Sequence, residues 1–432
     1  MDSPPVSLPD LANALRSGEL RLSNYLVQLE SLFEHREPSV MAFVPEEGRF
    51  ERLRLQAEEL CQRYPQPEKR PPLFGVPIGV KDVFHVDGLV TRAGSRLPID
   101  QLQGAEAESV TILKEAGALA LGKTVSTEFA YVAPGPTRNP HNTEHTPGGS
   151  SSGSAVAVAS RLCPLALGTQ TIGSTIRPAS FCGIVGYKPS FNRIPTGGLI
   201  HLSPSLDHVG VFTVDVAGAM LAASLLCREW QPRALPPRPI LGIPEGPYLA
   251  RVSEEGLTHL EATCKSLTLA GYEIRAVEAM PDFEDIVARH RLIVAAEAAQ
   301  VHQEWFAPFG EIYHPTTAQL IVQGQSISEE ALQDACDGRA RLRDELIDLM
   351  EDNDIDLWLS PASVGPAPRG LESTGDPVMN LPWTHSGMPA LNLPSGANVD
   401  GLPMGLQLTA RWYEDELLLA WAEGIEAVLM DA

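Results

Sequence analysis

The sequence has no long apolar run. No stretch of about 18 or more residues is both apolar and free of charge, which excludes a membrane-spanning helix. The start, MDSPPVSLPDL, lacks a basic segment followed by an apolar one, so no secretory signal is expected there. Basic residues are also scarce: 32 Lys and Arg stand against 55 Asp and Glu, a net charge of −23. Nucleic acids and anionic membranes both require clustered Lys and Arg, so neither is expected as a partner. The six cysteines (61, 163, 182, 227, 264 and 336) are scattered and form no C-x-x-C pair. A reduced, cytoplasmic protein is the simplest reading. Internal repeats and low-complexity tracts are absent as well.

What remains is an ordinary folded composition, 44% hydrophobic and 20% charged. Helical spacing runs through Leu11 and Leu15, breaks at Ser17-Gly18, and resumes from Tyr25 to Phe33. A short strand is expected at 40–44, then a charged helix with a solvated face over 49–60. A buried strand is expected over 73–80, ending at Lys81. Further on, helices over 254–270, 283–305 and 328–350 alternate with strands near 239–243, 272–277 and 355–360, the first of these at a sheet edge. The Pro- and Arg-rich stretch 228–238 reads as a surface connection. Segment 306–325, with Phe306, Phe309 and Tyr313, reads either as a flap over a pocket or as ordinary helix packing. This alternation of helices and apolar strands predicts a layered α/β protein.

Three stretches carry chemistry. Lys81 follows the apolar run LFGVPIGV. It either snorkels beside Asp82 or is desolvated enough for its amine to act as a base. Residues 148–154, GGSSSGS, precede an Ala/Val helix, and a second small-residue turn, Gln170-Thr171-Ile172-Gly173-Ser174, follows a buried strand at 165–168. Backbone so rich in Gly and Ser is costly to order, which suggests close approach to a ligand, with Ser150 and Ser174 as the candidate reactive serines. A tight turn after a strand presents consecutive N–H groups to a developing oxyanion.

Two motif matches compete. Gly117 to Thr124, GALALGKT, satisfies the phosphate-loop pattern, but its apolar middle belongs in a sheet rather than an exposed loop, so nucleotide binding is rejected. Gly149 to Gly153 satisfies G-x-S-x-G with Ser151 as nucleophile, although a polar loop precedes it where that elbow needs a strand. A Ser-His-Asp hydrolase drawing on His201, His208 or His385 with Asp207 or Asp376 is the runner-up.

Lys81 in GVPIGVKD, Ser150 in PGGSSSGSA and Ser174 in GTQTIGSTIRPASFCGIVGYKP together resemble the amidase signature family. GKTVSTEFA, RNPHN, GMPA and GLPMGLQ extend the resemblance to about residues 7–425. It implies a single domain over 1–432, a three-layer α/β/α sandwich around one large, mixed, twisted β-sheet. It also implies Ser174 as nucleophile, Ser150 as proton relay on a cis Gly149–Ser150 peptide, and Lys81 as base. Amides of Thr171, Ile172, Gly173 and Ser174 would form the oxyanion hole. Phe129, Tyr131, Gly149, Gln170 and Phe181 are pocket candidates, and Asp82, Ser152 and Arg177 are expected to support the reacting groups. Two positions depart from the pattern. Ile172 stands where many members have glycine, and Arg177 comes three residues after the serine rather than two. No metal or cofactor is implied. The expected partners are water and a small amide, anilide, carbamate or ester, an aryl amide or carbamate first, acted on by a monomer or homodimer. The other readings are a glutamine amidotransferase-type amidase component and a non-catalytic scaffold.

Overall fold

The structure, a computed structural model, describes residues 7–233 and 237–431. The chain start MDSPPV and part of the 228–238 connection lie outside the described residues. Among the described residues, ten strands form one sheet: β1 Pro77–Lys81, β2 Leu119–Thr124, β3 Leu165–Gln170, β4 Val185–Lys188, β5 His208–Thr213, β6 Leu241–Glu245, β7 Ile274–Glu278, β8 Leu357–Pro361, β9 Ala390–Ala397 and β10 Pro403–Thr409. Their spatial order is β2-β1-β3-β5-β4-β9-β10-β8-β6-β7. Pairing is parallel at β2-β1-β3 and β8-β6-β7 and antiparallel between them, which makes the sheet mixed.

β1, β2, β3, β4, β5, β8 and β10 are buried along their whole length, as strands covered by helices on both faces must be. This is the layered α/β class that the alternation predicted, in the single-sheet sandwich that the resemblance implied. β6 is interior, flanked by β8 and β7, so the expectation of an edge strand near 239–243 is corrected; β7 is the edge.

Two further expectations change, and one open choice is described. Residues 40–44 form no strand: the helix Leu22–Val40 runs to their start, and Phe43 makes a single bridge to Thr124. The helix Arg49–Arg63 is not merely solvated. Arg49 is buried, with its guanidinium 4.6 Å from the Phe33 ring centre and donating to the Val44 carbonyl at 2.7 Å. The apolar surface of Phe33 and Phe43 thus covers a cation whose charge sits against Glu46. Segment 306–325 is packed helix: Gln303–Phe309 is followed by Pro315–Gly324, whose Leu320 and Ile321 are buried.

The helix Ser152–Ala159 lies against the β1 end of the sheet. Gly153 is required there, since a Cβ at that position would sit 2.1 Å from the Ala42 carbonyl and 2.3 Å from Val125 N. Its own N–H donates to the Val125 carbonyl at 2.9 Å. This close approach seats residues 149–151 over the C-terminal ends of β1 and β3.

Candidate active site

Parallel pairing decides the first contact of the site. β1 and β3 are in register through Val80 and Leu167, so both strands end on the same side of the sheet with Lys81 close to Thr169. The Lys81 side chain is fully buried. Its Nζ donates to Thr169 Oγ1 and to Ser150 Oγ, both at 2.7 Å. Burial lowers this amine to about 7, against a smaller opposing pull from the Asp207 carboxylate. Lys81 therefore does not snorkel.

Ser150 is held from several sides. The Gly149–Ser150 peptide is cis, as expected. The Ser150 carbonyl accepts from Thr127 N at 3.1 Å. The Gly149 carbonyl accepts from Arg177 Nη2 at 2.6 Å, and the same nitrogen donates to Thr374 Oγ1 at 3.1 Å. Arg177 is buried beneath these groups, and desolvation lowers it to about 10. Its displaced place in the sequence thus still supports the loop that carries Ser150.

The turn 171–174 leaves β3 and leads into the helix Ile176–Cys182. Gln170 fixes this turn from within: its Oε1 accepts from Thr175 N (2.8 Å) and Ile176 N (3.0 Å), and its Nε2 donates to Thr384 Oγ1 (3.0 Å). Thr384 Oγ1 donates in turn to the Ile172 carbonyl at 2.7 Å. Gly173 is close-packed, since a Cβ there would meet Asn380 Oδ1 at 2.3 Å. Among the described residues, the amides of Ile172, Gly173 and Ser174 have no hydrogen-bond acceptor, and neither does Ser174 Oγ. Ser174 is 7% exposed and Ile172 is half-buried, so the turn is nearly but not wholly covered.

Several site expectations are corrected by burial. Gln170 is fully buried and committed to the turn, so it does not line a pocket. Phe129 is fully buried, stacked 5.2 Å from Tyr313 and edge-on to His302, where it anchors the 302–313 segment. Phe181 is buried beneath Gly148 and Gly375. Of the apolar candidates, Ile172 and Tyr131 remain half-buried, both packed on the cluster of Leu202 and Leu206. Gly149 is buried in the loop and Ser152 opens the helix that follows it.

The elbow reading does not survive. Ser151 is fully buried, donating to the Thr169 carbonyl at 3.2 Å and accepting from Thr169 N at 3.3 Å. His208 is turned to the Leu206 carbonyl, His385 faces His290, and Asp376 is exposed. His201 does pair with Asp207, at 2.9 Å, but the hydroxyl on that carboxylate belongs to Thr171. Gly122-Lys123-Thr124 lies inside β2, as the rejection of a phosphate loop required. Lys123 is instead salt-bridged to Asp82 at 3.0 Å, both side chains buried.

The residues missed from sequence are Thr169, Thr374, Asn380 and Thr384. Thr169 needs the β1–β3 register to be seen, and residues 374–384 need the fold. Asp207 was named from sequence only as an acid for the runner-up triad, whereas it binds Thr171 and His201.

A family model described as Amidase matches residues 46–419. The chain belongs to the amidase family. A glutamyl-tRNA(Gln) amidotransferase subunit from Synechococcus sp. (strain WH7803) is 31% identical over 469 residues, covering 96% of this chain and 95% of that protein. An amidase crystal structure is 31% identical with a TM-score of 0.89, covering 98% of this chain and 99% of the other. The peptide amidase of Stenotrophomonas maltophilia, 24% identical with a TM-score of 0.82 over 99% of this chain and 97% of its own, shares the fold. Family membership makes this amidase a hydrolase of C–N bonds. Among the described residues, no helix is long and apolar enough to cross a membrane, and no group of three or more His, Cys, Asp or Glu is placed to hold a metal ion.

The Asp82–Lys123 pair beside the site gives a stability prediction. Asp82→Asn leaves the Lys123 ammonium buried without its counter-ion, a loss of about 3–5 kcal/mol. Urea unfolding of the variant should show a destabilisation of that order, and a change under about 1 kcal/mol would contradict the pair's role.

Proposed function

We propose that this amidase is a stand-alone amidohydrolase that works through a Ser174 acyl-enzyme. The observation that carries the reading is the buried Lys81 amine hydrogen-bonded to Ser150. A lysine at about 7 is substantially neutral at physiological pH and can accept a proton.

In the proposed sequence, neutral Lys81 takes the Ser150 proton as Ser150 takes the proton of Ser174. The Ser174 Oγ then bonds to the carbonyl carbon, and the C=O electron pair moves onto oxygen. Amides of Thr171, Ile172, Gly173 and Ser174 stabilise that oxyanion, one such donor contributing roughly 3–4 kcal/mol. Collapse breaks the C–N bond, and the proton returns from Lys81 through Ser150 to the departing nitrogen. Water, deprotonated by the same relay, then releases the acid and restores Ser174. The Ser174 hydroxyl must reach Ser150 for this to proceed, a contact that tightens in the substrate complex in many enzymes.

Ile172 and Tyr131 beside the turn support an apolar or aryl acyl group on an amide or carbamate. The amidotransferase relative motivates a second reading, hydrolysis of glutamine to supply ammonia to a partner. The net charge of −23 favours the stand-alone hydrolase, since a tRNA-binding surface requires clustered Lys and Arg. A panel of anilides, carbamates, esters and glutamine separates the two, with turnover of glutamine alone favouring the second.

Two measurements test the mechanism. A fluorophosphonate should label wild-type protein at Ser174 by peptide mass spectrometry, and Ser174→Ala should lose both label and turnover while melting like wild type. Label elsewhere, or substantial residual hydrolysis, overturns the assignment. The base acts only when unprotonated, so kcat/KM should rise with pH through about 7 and level off above it. A profile flat from pH 5.5 to 8.5 (about three decades of proton activity) would exclude Lys81 as the base.

A further inference from the structure

One carboxylate ties together three parts of the site. Asp207 ends a turn just before β5 and is buried. Its Oδ1 accepts from Thr171 Oγ1 at 2.6 Å. Its Oδ2 accepts from His201 Nδ1 at 2.9 Å and from the amides of Leu202 (3.0 Å) and Ser203 (3.2 Å). Thr171 is the first residue of the turn that carries Ser174, two residues beyond the threonine that holds Lys81. The negative charge of Asp207 also favours the protonated form of Lys81. A bare carboxylate here would therefore orient the turn while weakening the tendency of the base to stay neutral.

The opposite side of that carboxylate is occupied by His201, whose side chain is 25% exposed. A second carboxylate faces it. Glu297, on the helix Phe283–Val301, is buried and accepts from Ser203 Oγ and from Ser205 N (3.0 Å). Arg339 and Cys336, on the helix Glu329–Asp352, face Glu297 from behind. Desolvation alone would strip the proton from His201, but the hydrogen bond to Asp207 and the charges of Asp207 and Glu297 outweigh it.

The geometry points to His201 as a positioning residue for the reaction: its Nδ1–H, bonded to Asp207 Oδ2, pins that carboxylate against Thr171, and so fixes the Ser174 turn, while drawing the carboxylate's charge away from Lys81. This rests on the Lys81–Ser150–Ser174 reading and adds to it a residue that touches none of the reacting atoms.

The test uses the acid limb of kcat/KM, which a merely structural histidine would not move. His201→Asn keeps a neutral N–H donor for Asp207 and removes the titratable ring. Its limb should shift to higher pH by about half a unit or more, because Lys81 then feels the full carboxylate. Asp207→Asn should shift the limb to lower pH, with kcat reduced and KM little changed, because Thr171 loses its charged partner. The two substitutions read the coupling from opposite ends, so one folded variant, checked by thermal melting, is sufficient. Midpoints within about 0.2 unit of wild type, or shifts in the same direction, overturn the assignment. Such a result alongside normal Ser174 labelling removes His201 alone, whereas a wild-type profile with no acid limb removes the base itself.

Discussion

The structure depends on one buried amine solvated by two hydroxyls. Lys81 has given up water without gaining a carboxylate at ion-pair distance among the described residues, and its lowering from 10.5 to about 7 corresponds to roughly 5 kcal/mol against the charged form. Everything nearby either supplies that environment or aims a hydroxyl at it. The β1–β3 register brings Thr169 to the amine, and the closely seated helix at Gly153 brings Ser150.

Two other buried lysines show why this one is suited to proton transfer. Lys123, on the neighbouring strand, is paired with Asp82 and also donates to the Phe84 carbonyl and Thr91. Lys188 is also lowered to about 7, but it donates to the carbonyls of Pro189 and Met388, which have no proton to give. Lys81 alone among the three has a serine hydroxyl on the route to the Ser174 turn. Burial makes a lysine a base, and the partner atom decides whether the base has anything to act on.

The layered fold was legible in the alternation of helices and apolar strands, whereas Lys81, Ser150 and Ser174 were singled out by an apolar run and small-residue turns only together with the family resemblance. What was not legible depends on pairing between distant segments. Thr169 is one threonine among many until β3 lies beside β1, and the anchoring of the turn by Thr384 spans more than two hundred residues. Gln170, Phe129 and Phe181 were misread as pocket residues for the same reason, since sequence proximity to the site says nothing about which side chains face inward. Arg49 was misread because a charged helix normally faces water, and here Phe33 and Phe43 cover the guanidinium.

The claim that a neutral lysine sits at the centre of this amidase can be measured without any substrate. Protein labelled with carbon-13 at the lysine ε position would be titrated by NMR, with the Lys81 resonance assigned by its loss in Lys81→Met. The account predicts a midpoint near 7 for that resonance. A midpoint above about 10, the ordinary range for lysine, would contradict it.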